Sequence, residues 1–378
     1  MEFFSFENGP PNPSNTDDTD GPVFWSAASY RRCSCSGPQR VWLRSFKLIP
    51  NAKVLTGIVF FFHGIMQHSR GPEVLLMAKH IVNEVGCAWY GLDMQGHGRS
   101  GQLGDPNHPL PGAVIADSEA MVADALEFIR LLTDQYVDLP FVICGHSMGG
   151  GIALRITVAL QELYGSRFRG LCLSAPYIPH REWTSTEKQR VSLIKMIESI
   201  INSVNTMWML HTNPLEVKPG GGTMLKASVR RESAYQVLLK DPLRYNAQLP
   251  FVTTATFFDA SVNTQPSYLR QIAVPFLISQ GTNDGFMSDV GPKMLYTLSV
   301  TPVRCKYLQF FVGAKHNLLA DAARSDELRT AWAAFMERAL TNSFVSAADV
   351  LWGSNYSEVD TTHLDTATYG MPLLTNAQ

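Results

Sequence analysis

Apolar positions along the chain follow two alternating rhythms. Strand-length apolar runs occur at Val41–Leu48, Ile58–Phe62, Cys87–Leu92, Phe141–Cys144, Leu171–Ser174, Phe276–Ser279 and Tyr307–Phe311. Between them lie segments of helical period: over Asp117–Asp134, the residues Val122, Ala125, Leu126, Ile129 and Leu132 share one face. A second such segment runs from Gly149 to Tyr164 and is closed by Gly165, a residue suited to a helix C-terminus. Strands alternating with helices predict an α/β domain with a mostly parallel central sheet flanked by helices.

The rhythm breaks after Pro176 and returns only at Pro275, a gap of roughly 90 residues that no ordinary connection fills. An inserted, mainly helical cap is expected there. Within it Leu193, Ile194, Ile197, Ile200, Ile201, Val204 and Trp208 form a helical stripe opposite Lys195, Glu198, Ser199, Asn202 and Ser203. Two readings stand side by side: a cap helix packed on the core, or a lid with Ile194, Ile197, Ile201 and Trp208 lining a lipid entrance. The expected organisation is a flexible extension over 1–40, a first core part over 41–178, the cap over 179–270, a second core part over 271–342, and a tail over 343–378.

Composition narrows the function classes. With 378 residues the chain can bury one large core plus an insertion. A formal net charge of -2 offers no basic field for a polyanion, so nucleic acid is not an expected partner. The acidic, proline-interrupted start, with Pro10, Pro11 and Pro13, lacks the pattern of a secretory signal. No apolar run approaches the ~20 residues of a spanning helix, so an integral membrane protein is not expected, and without a secretory pattern a cytoplasmic one is. Six cysteines without metal-site spacing read as buried thiols of a reducing compartment, and Cys33 and Cys35, after Arg31 and Arg32, offer a conceivable acylation site. The cysteine spacing gives no expectation of a metal.

The chemistry is carried by Gly145-His146-Ser147-Met148-Gly149, a G-x-S-x-G pattern set between a strand-like run and a helix. Serine at such a tight turn needs small neighbours, which Gly145 and Gly149 provide. The helix opening at Met148 aims free N–H groups at the reaction centre, so the Met148 amide is one expected oxyanion donor. The second is the Ile65 amide, in the loop after Phe60-Phe61-Phe62-His63-Gly64.

A serine nucleophile needs a base, and chain order in a strand-turn-helix elbow places acid and then histidine after it. His316, just past the run Tyr307–Phe311, is the candidate base, since His363 lies in the tail. Asp284, after Phe276–Ser279, is the candidate acid. Asp289 and Asp321 compete, but Asp289 reads as the cap of a helix from Val290 and Asp321 as the opening of the helix after His316. His63, His68 and His97 read as loop-shaping residues and His146 as packing beside the elbow.

With these residues in place, the chain resembles the monoglyceride lipase and lysophospholipase branch of the α/β-hydrolases. The resemblance rests on His63-Gly64 with His68, Asp93-x-x-Gly96-His97-Gly98-x-Ser100, Gly145 to Gly150, Asp241-Pro242-Leu243-Arg244-Tyr245, Gly281-x-x-Asp284 and Gly313-Ala314-Lys315-His316. It spans about 41–340. At 66 and 67 this chain carries Met and Gln where the family usually has glycine and glutamate. The resemblance implies the α/β-hydrolase fold, hydrolysis of a fatty-acyl ester without a cofactor, and an apolar tunnel under a mobile cap that leans on membranes. A lysophospholipase, a general carboxylesterase, an acyltransferase, an aminopeptidase, and a non-catalytic lipid-binding homologue are the rival expectations.

Overall fold

A computed structural model describes residues 24–25, 41–51, 54–101, 112–115, 117–178, 221–247, 249, 253, 266–321 and 324–344 of the chain. The expected cap helix over 193–208, with Ile194, Ile197, Ile201 and Trp208, lies outside the described residues, as do Cys33, Cys35 and the tail beyond 344.

Among the described residues eight strands form one sheet: β1 (Phe24–Trp25), β2 (Trp42–Leu48), β3 (Ile58–Phe62), β4 (Ala88–Asp93), β5 (Phe141–His146), β6 (Phe168–Ser174), β7 (Phe276–Gly281) and β8 (Lys306–Phe311). Their order is β1-β2-β4-β3-β5-β6-β7-β8, with β2 antiparallel to β4 and all later neighbours parallel. Strand β1 falls in the stretch expected to be a loose extension; it pairs Phe24 with Leu43 and Trp25 with Trp42. Two residues are too few to show a period, and what holds them is the open hydrogen-bonding edge of β2.

Among the described residues the α-helices are α1 (Pro72–Val85), α2 (Ser118–Gln135), α3 (Met148–Tyr164), α4 (Gly221–Ser228), α5 (Glu232–Leu239), α6 (Pro266–Leu269), α7 (Val290–Leu298) and α8 (Ser325–Thr341). Helix α2 starts where Asp117 accepts the Glu119 N–H at 2.9 Å, and α1 stops at Gly86 with φ 73. Asp289 stands before α7 but does not cap it; its carboxylate pairs with Lys293 at 2.7 Å instead. Helix α8 begins at Ser325 rather than at Asp321, whose carbonyl only receives the Arg324 and Ser325 N–H groups.

Every residue of β3, β4, β5 and β7 is buried, as befits parallel strands covered on both faces. The pleat splits β3 between two cores. Ile58, Phe60 and Phe62 pack with Phe128 and Ile129 of α2 and Ile152 and Ile156 of α3, whereas Val59 and Phe61 pack with Ile81 of α1 and Trp332 and Phe335 of α8. This two-sided burial makes the sheet rigid, and the carboxyl ends of β3, β5, β7 and β8 lead into the loops that carry the candidate chemistry. No helix among the described residues is long and apolar enough to cross a membrane.

Candidate active site

Between β5 and α3 the chain reverses through Ser147, whose φ of 53 and ψ of -116 lie outside the ordinary regions for an L-residue. The turn is held by Ser147 N–H to the Ser174 carbonyl (3.0 Å) and by the Tyr177 and Gly151 amides on the Ser147 carbonyl (2.9 and 3.2 Å). Both flanking glycines are forced by close approach. A Cβ on Gly149 would stand 2.0 Å from the Phe62 carbonyl oxygen, and one on Gly145 2.4 Å from that of Gly149.

The structure brings Ser147, His316 and Asp284 together from three loops. His316 Nε2 lies 2.9 Å from Ser147 Oγ, and its Nδ1 lies 2.8 Å from Asp284 Oδ2. A carboxylate can only accept, so Nδ1–H donates to Asp284 and the Nε2 lone pair faces the serine hydroxyl. Asp284 Oδ1 accepts the Phe286 and Met287 amides at 2.8 and 2.9 Å, and Oδ2 also accepts Gln280 Nε2 at 3.0 Å. Burial alone would raise the Asp284 pKa, but the His316 hydrogen bond and charge, with the two amides, outweigh it and hold the carboxyl below its ordinary value. Neither Asp289 nor Asp321 takes this place.

Three buried histidines, His146, His63 and His97, make hydrogen bonds around the site. His146 Nδ1 donates to the Ser174 carbonyl at 3.1 Å, and its ring centroid is 5.0 Å from that of His316. Burial, then the neighbouring His316, lowers its pKa to about 3, so it stays neutral beside His316. His63 accepts the Met94 amide at 3.0 Å and donates to the Gly64 carbonyl at 2.8 Å, tying the loop after β3 to the loop after β4. His97 bonds the Gln95 carbonyl at 2.8 Å, and burial lowers its pKa to about 4.

Residues 64–67 form a tight turn beside Ser147: Gln67 N–H donates to the Gly64 carbonyl at 3.2 Å, and Gly64 N–H to Gln67 Oε1 at 2.9 Å. A Cβ on Gly64 would lie 3.1 Å from Ser147 Cβ. Several polar partners here were not legible from the chain. Arg244 pairs with Glu73 and Asp241 with His68 across sequence separations of 171 and 173 residues; from the chain His68 reads as loop-shaping and Asp241–Tyr245 as a motif without a role, with neither partner identified.

Ser147 and His316 open onto a cavity of about 220 Å³. Its walls are mainly apolar, with Ile65, Met66, Tyr177, Leu225, Leu249 and Phe286 among them. Gln67, Arg244, Asn246 and Asn317 add polar groups. Helix α4, from the expected cap region, supplies Met224, Leu225 and Ser228 to the wall, and the Ser228 carbonyl accepts the Asn317 amide at 2.9 Å.

A parallel sheet with a strand-serine-helix elbow, and an acid and a histidine from later strands, defines an α/β-hydrolase. Residues 54–323 match the serine aminopeptidase S33 family, well over half of the chain, and the chain belongs to that family. Mouse (Mus musculus) monoglyceride lipase is 25% identical over 263 residues, covering 69% of this chain and 75% of that protein. The crystal structure of the Paleococcus ferrophilus monoacylglycerol lipase superposes with a TM-score of 0.55 at 20% identity, over 80% of this chain and 99% of that one. A soluble variant of the Saccharomyces cerevisiae monoglyceride lipase, solved with a substrate analog, gives 0.58 at 17% identity over 89% and 100% of the two chains. The chain is thus a serine ester hydrolase of the monoglyceride-lipase-like branch.

Proposed function

We propose that this enzyme cleaves monoacylglycerols to glycerol and free fatty acid, with Ser147 as nucleophile, His316 as general base and Asp284 as its orienting acid. The observation that carries this reading is the Ser147–His316–Asp284 hydrogen-bond relay opening onto a cavity that is apolar over most of its wall. Ser147 Oγ attacks the ester carbonyl as His316 Nε2 takes its proton, and Asp284 stabilises the imidazolium. The Met148 and Ile65 amides are the proposed oxyanion donors. His316 then returns the proton to the departing glycerol oxygen, and water hydrolyses the acyl-enzyme by the same route.

Apolar lining suits the acyl chain. The side-chain oxygens of Asn246 and Asn317 are buried without a hydrogen-bond partner at the cavity wall, which suits a hydroxyl-bearing head group. Release of N-terminal residues fits less well: a substrate ammonium would want a carboxylate, and no Asp or Glu is among the described residues lining the cavity. The region 179–270 is proposed as the cap. On α5, Val237 and Leu239 are exposed and offer apolar surface for peripheral contact with lipid.

Fluorophosphonate labelling of the wild type and of Ser147→Ala, followed by fatty-acid release from monoacylglycerols, lysophospholipids and short esters, tests the proposal. Labelling confined to the wild type with preference for monoacylglycerols is expected. Turnover of short esters alone would reduce the enzyme to a general esterase, and residual turnover by Ser147→Ala would remove Ser147 as nucleophile.

A further inference from the structure

The turn at Gly64–Gln67 is strained in this chain. Its third residue, Met66, sits at φ 63, a backbone region that glycine enters freely and a residue with a Cβ enters at a cost of order 1 kcal/mol or more. Strain of this kind persists only where the surroundings over-determine it. Here a side chain reinforces the 3.2 Å backbone bond from Gln67 N–H to the Gly64 carbonyl, because Gln67 Oε1 takes the Gly64 N–H. That bond requires one orientation of the Gln67 amide, with oxygen toward Gly64 and nitrogen away.

Glu73 imposes that orientation. Gln67 Nε2 lies 3.2 Å from Glu73 Oε1, and a carboxylate has no proton to offer, so it accepts only the NH2 end of the amide. Arg244 Nη2 reaches the same Oε1, while Glu73 Oε2 has no partner. Both side chains of this ion pair are at most 3% exposed. Arg244 thus supplies the counter-charge without which a buried carboxylate could not hold its place. Its neighbour Asp241 grips the same loop further along, accepting His68 Nε2–H at 2.8 Å.

We infer that Arg244 is a positioning residue for the oxyanion loop. It acts through Glu73 and Gln67, so that docking of the 241–244 segment on this loop sets the turnover rate. This inference rests on the proposed roles of Ser147 and Ile65. An N–H aimed at charge that develops only in the transition state affects kcat more than KM.

The test is steady-state hydrolysis of p-nitrophenyl butyrate by wild type, Arg244→Met, Arg244→Lys, Met66→Gly and the Met66→Gly/Arg244→Met double variant. Arg244→Met is expected to lower kcat at least tenfold with KM within about threefold, and Arg244→Lys, which keeps the charge, to recover most of the loss. In the Met66→Gly background, where the turn no longer carries strain, removing Arg244 is expected to lower kcat less than threefold. A folded Arg244→Met enzyme with kcat within twofold of wild type would overturn the inference, as would an equal loss in both backgrounds. Should Arg244→Met not fold, the uncharged Gln67→Leu is expected to show the same kcat loss, and normal kcat in it overturns the inference equally. Ser147→Ala run alongside separates the two failures: turnover in that control defeats the nucleophile assignment on which the inference rests, whereas an inactive control beside a kcat indifferent to Arg244 defeats the inference alone.

Discussion

Replacing Ser147 by glycine and, separately, by alanine measures the strain stored at the nucleophile. Both variants lose the 2.9 Å bond to His316, a loss of about 0.5–1.5 kcal/mol that cancels in the comparison. What differs is the backbone. At φ 53 and ψ -116, alanine keeps the strain of a residue bearing a Cβ, and the ψ places it outside even the left-handed helical well, so about 2–3 kcal/mol is the appropriate range. Glycine relieves it. Against that gain stand about 0.5–1 kcal/mol for glycine's greater freedom in the unfolded chain and about 0.8 kcal/mol for the methyl group no longer buried.

The difference leaves glycine more stable than alanine by about 1 kcal/mol, although elsewhere in a folded protein this exchange ordinarily destabilises. Urea titrations followed by tryptophan fluorescence read it directly: with a slope of about 3 kcal/mol per molar, the midpoints should separate by roughly 0.3 M at unchanged slope. Both variants should lack ester hydrolysis, so a stability gain would accompany complete loss of function. An alanine variant as stable as glycine, or more so, would show that the elbow stores no strain and that the turn conformation is one the sequence prefers.

Asp284→Asn removes the acceptor that fixes the His316 tautomer and should lower kcat roughly 10³–10⁴-fold with little change in thermal stability, as measured by ester hydrolysis and calorimetry. Gly149→Ala puts a methyl 2.0 Å from the Phe62 carbonyl oxygen, backbone against backbone, and should destabilise by more than about 3 kcal/mol in urea unfolding; a loss under 1 kcal/mol would refute so tight an approach. Acid should weaken the fold from pH 6.5 downward. His146 and His97 are lowered by burial from 6.5 to about 3 and about 4, and His63 is lowered by burial and by His97. The unfolded chain therefore binds up to three more protons, as much as about 4 kcal/mol per pH unit, and stability is fully present above pH 6.5 and lost as pH falls; urea midpoints identical at pH 7.5 and 5 would refute this.

What could be read from the chain, and what could not, divides along the range of the interactions. The strands β3, β5 and β7 and the elbow at Ser147 follow from contiguous residues: an apolar run, a glycine where backbone must approach backbone, a helix of 3.6-residue period. His316 and Asp284 were reachable because chain order and strand ends confine them, although their hydrogen-bonded approach is a property of the folded sheet. The lock on the oxyanion loop was not reachable. Nothing local distinguishes Glu73 from any acidic residue in the first turn of a helix, or Arg244 from a solvated cation, until the fold places one on the other. Met66 and Gln67 were the visible signs, standing where the resembling family usually has glycine and glutamate, and the φ of 63 at Met66 is what the first departure entails. A backbone penalty at one position requires compensation elsewhere, and here the compensating groups come from a helix start and from the segment after α5, so a sequence anomaly beside the nucleophile predicts long-range partners without identifying them.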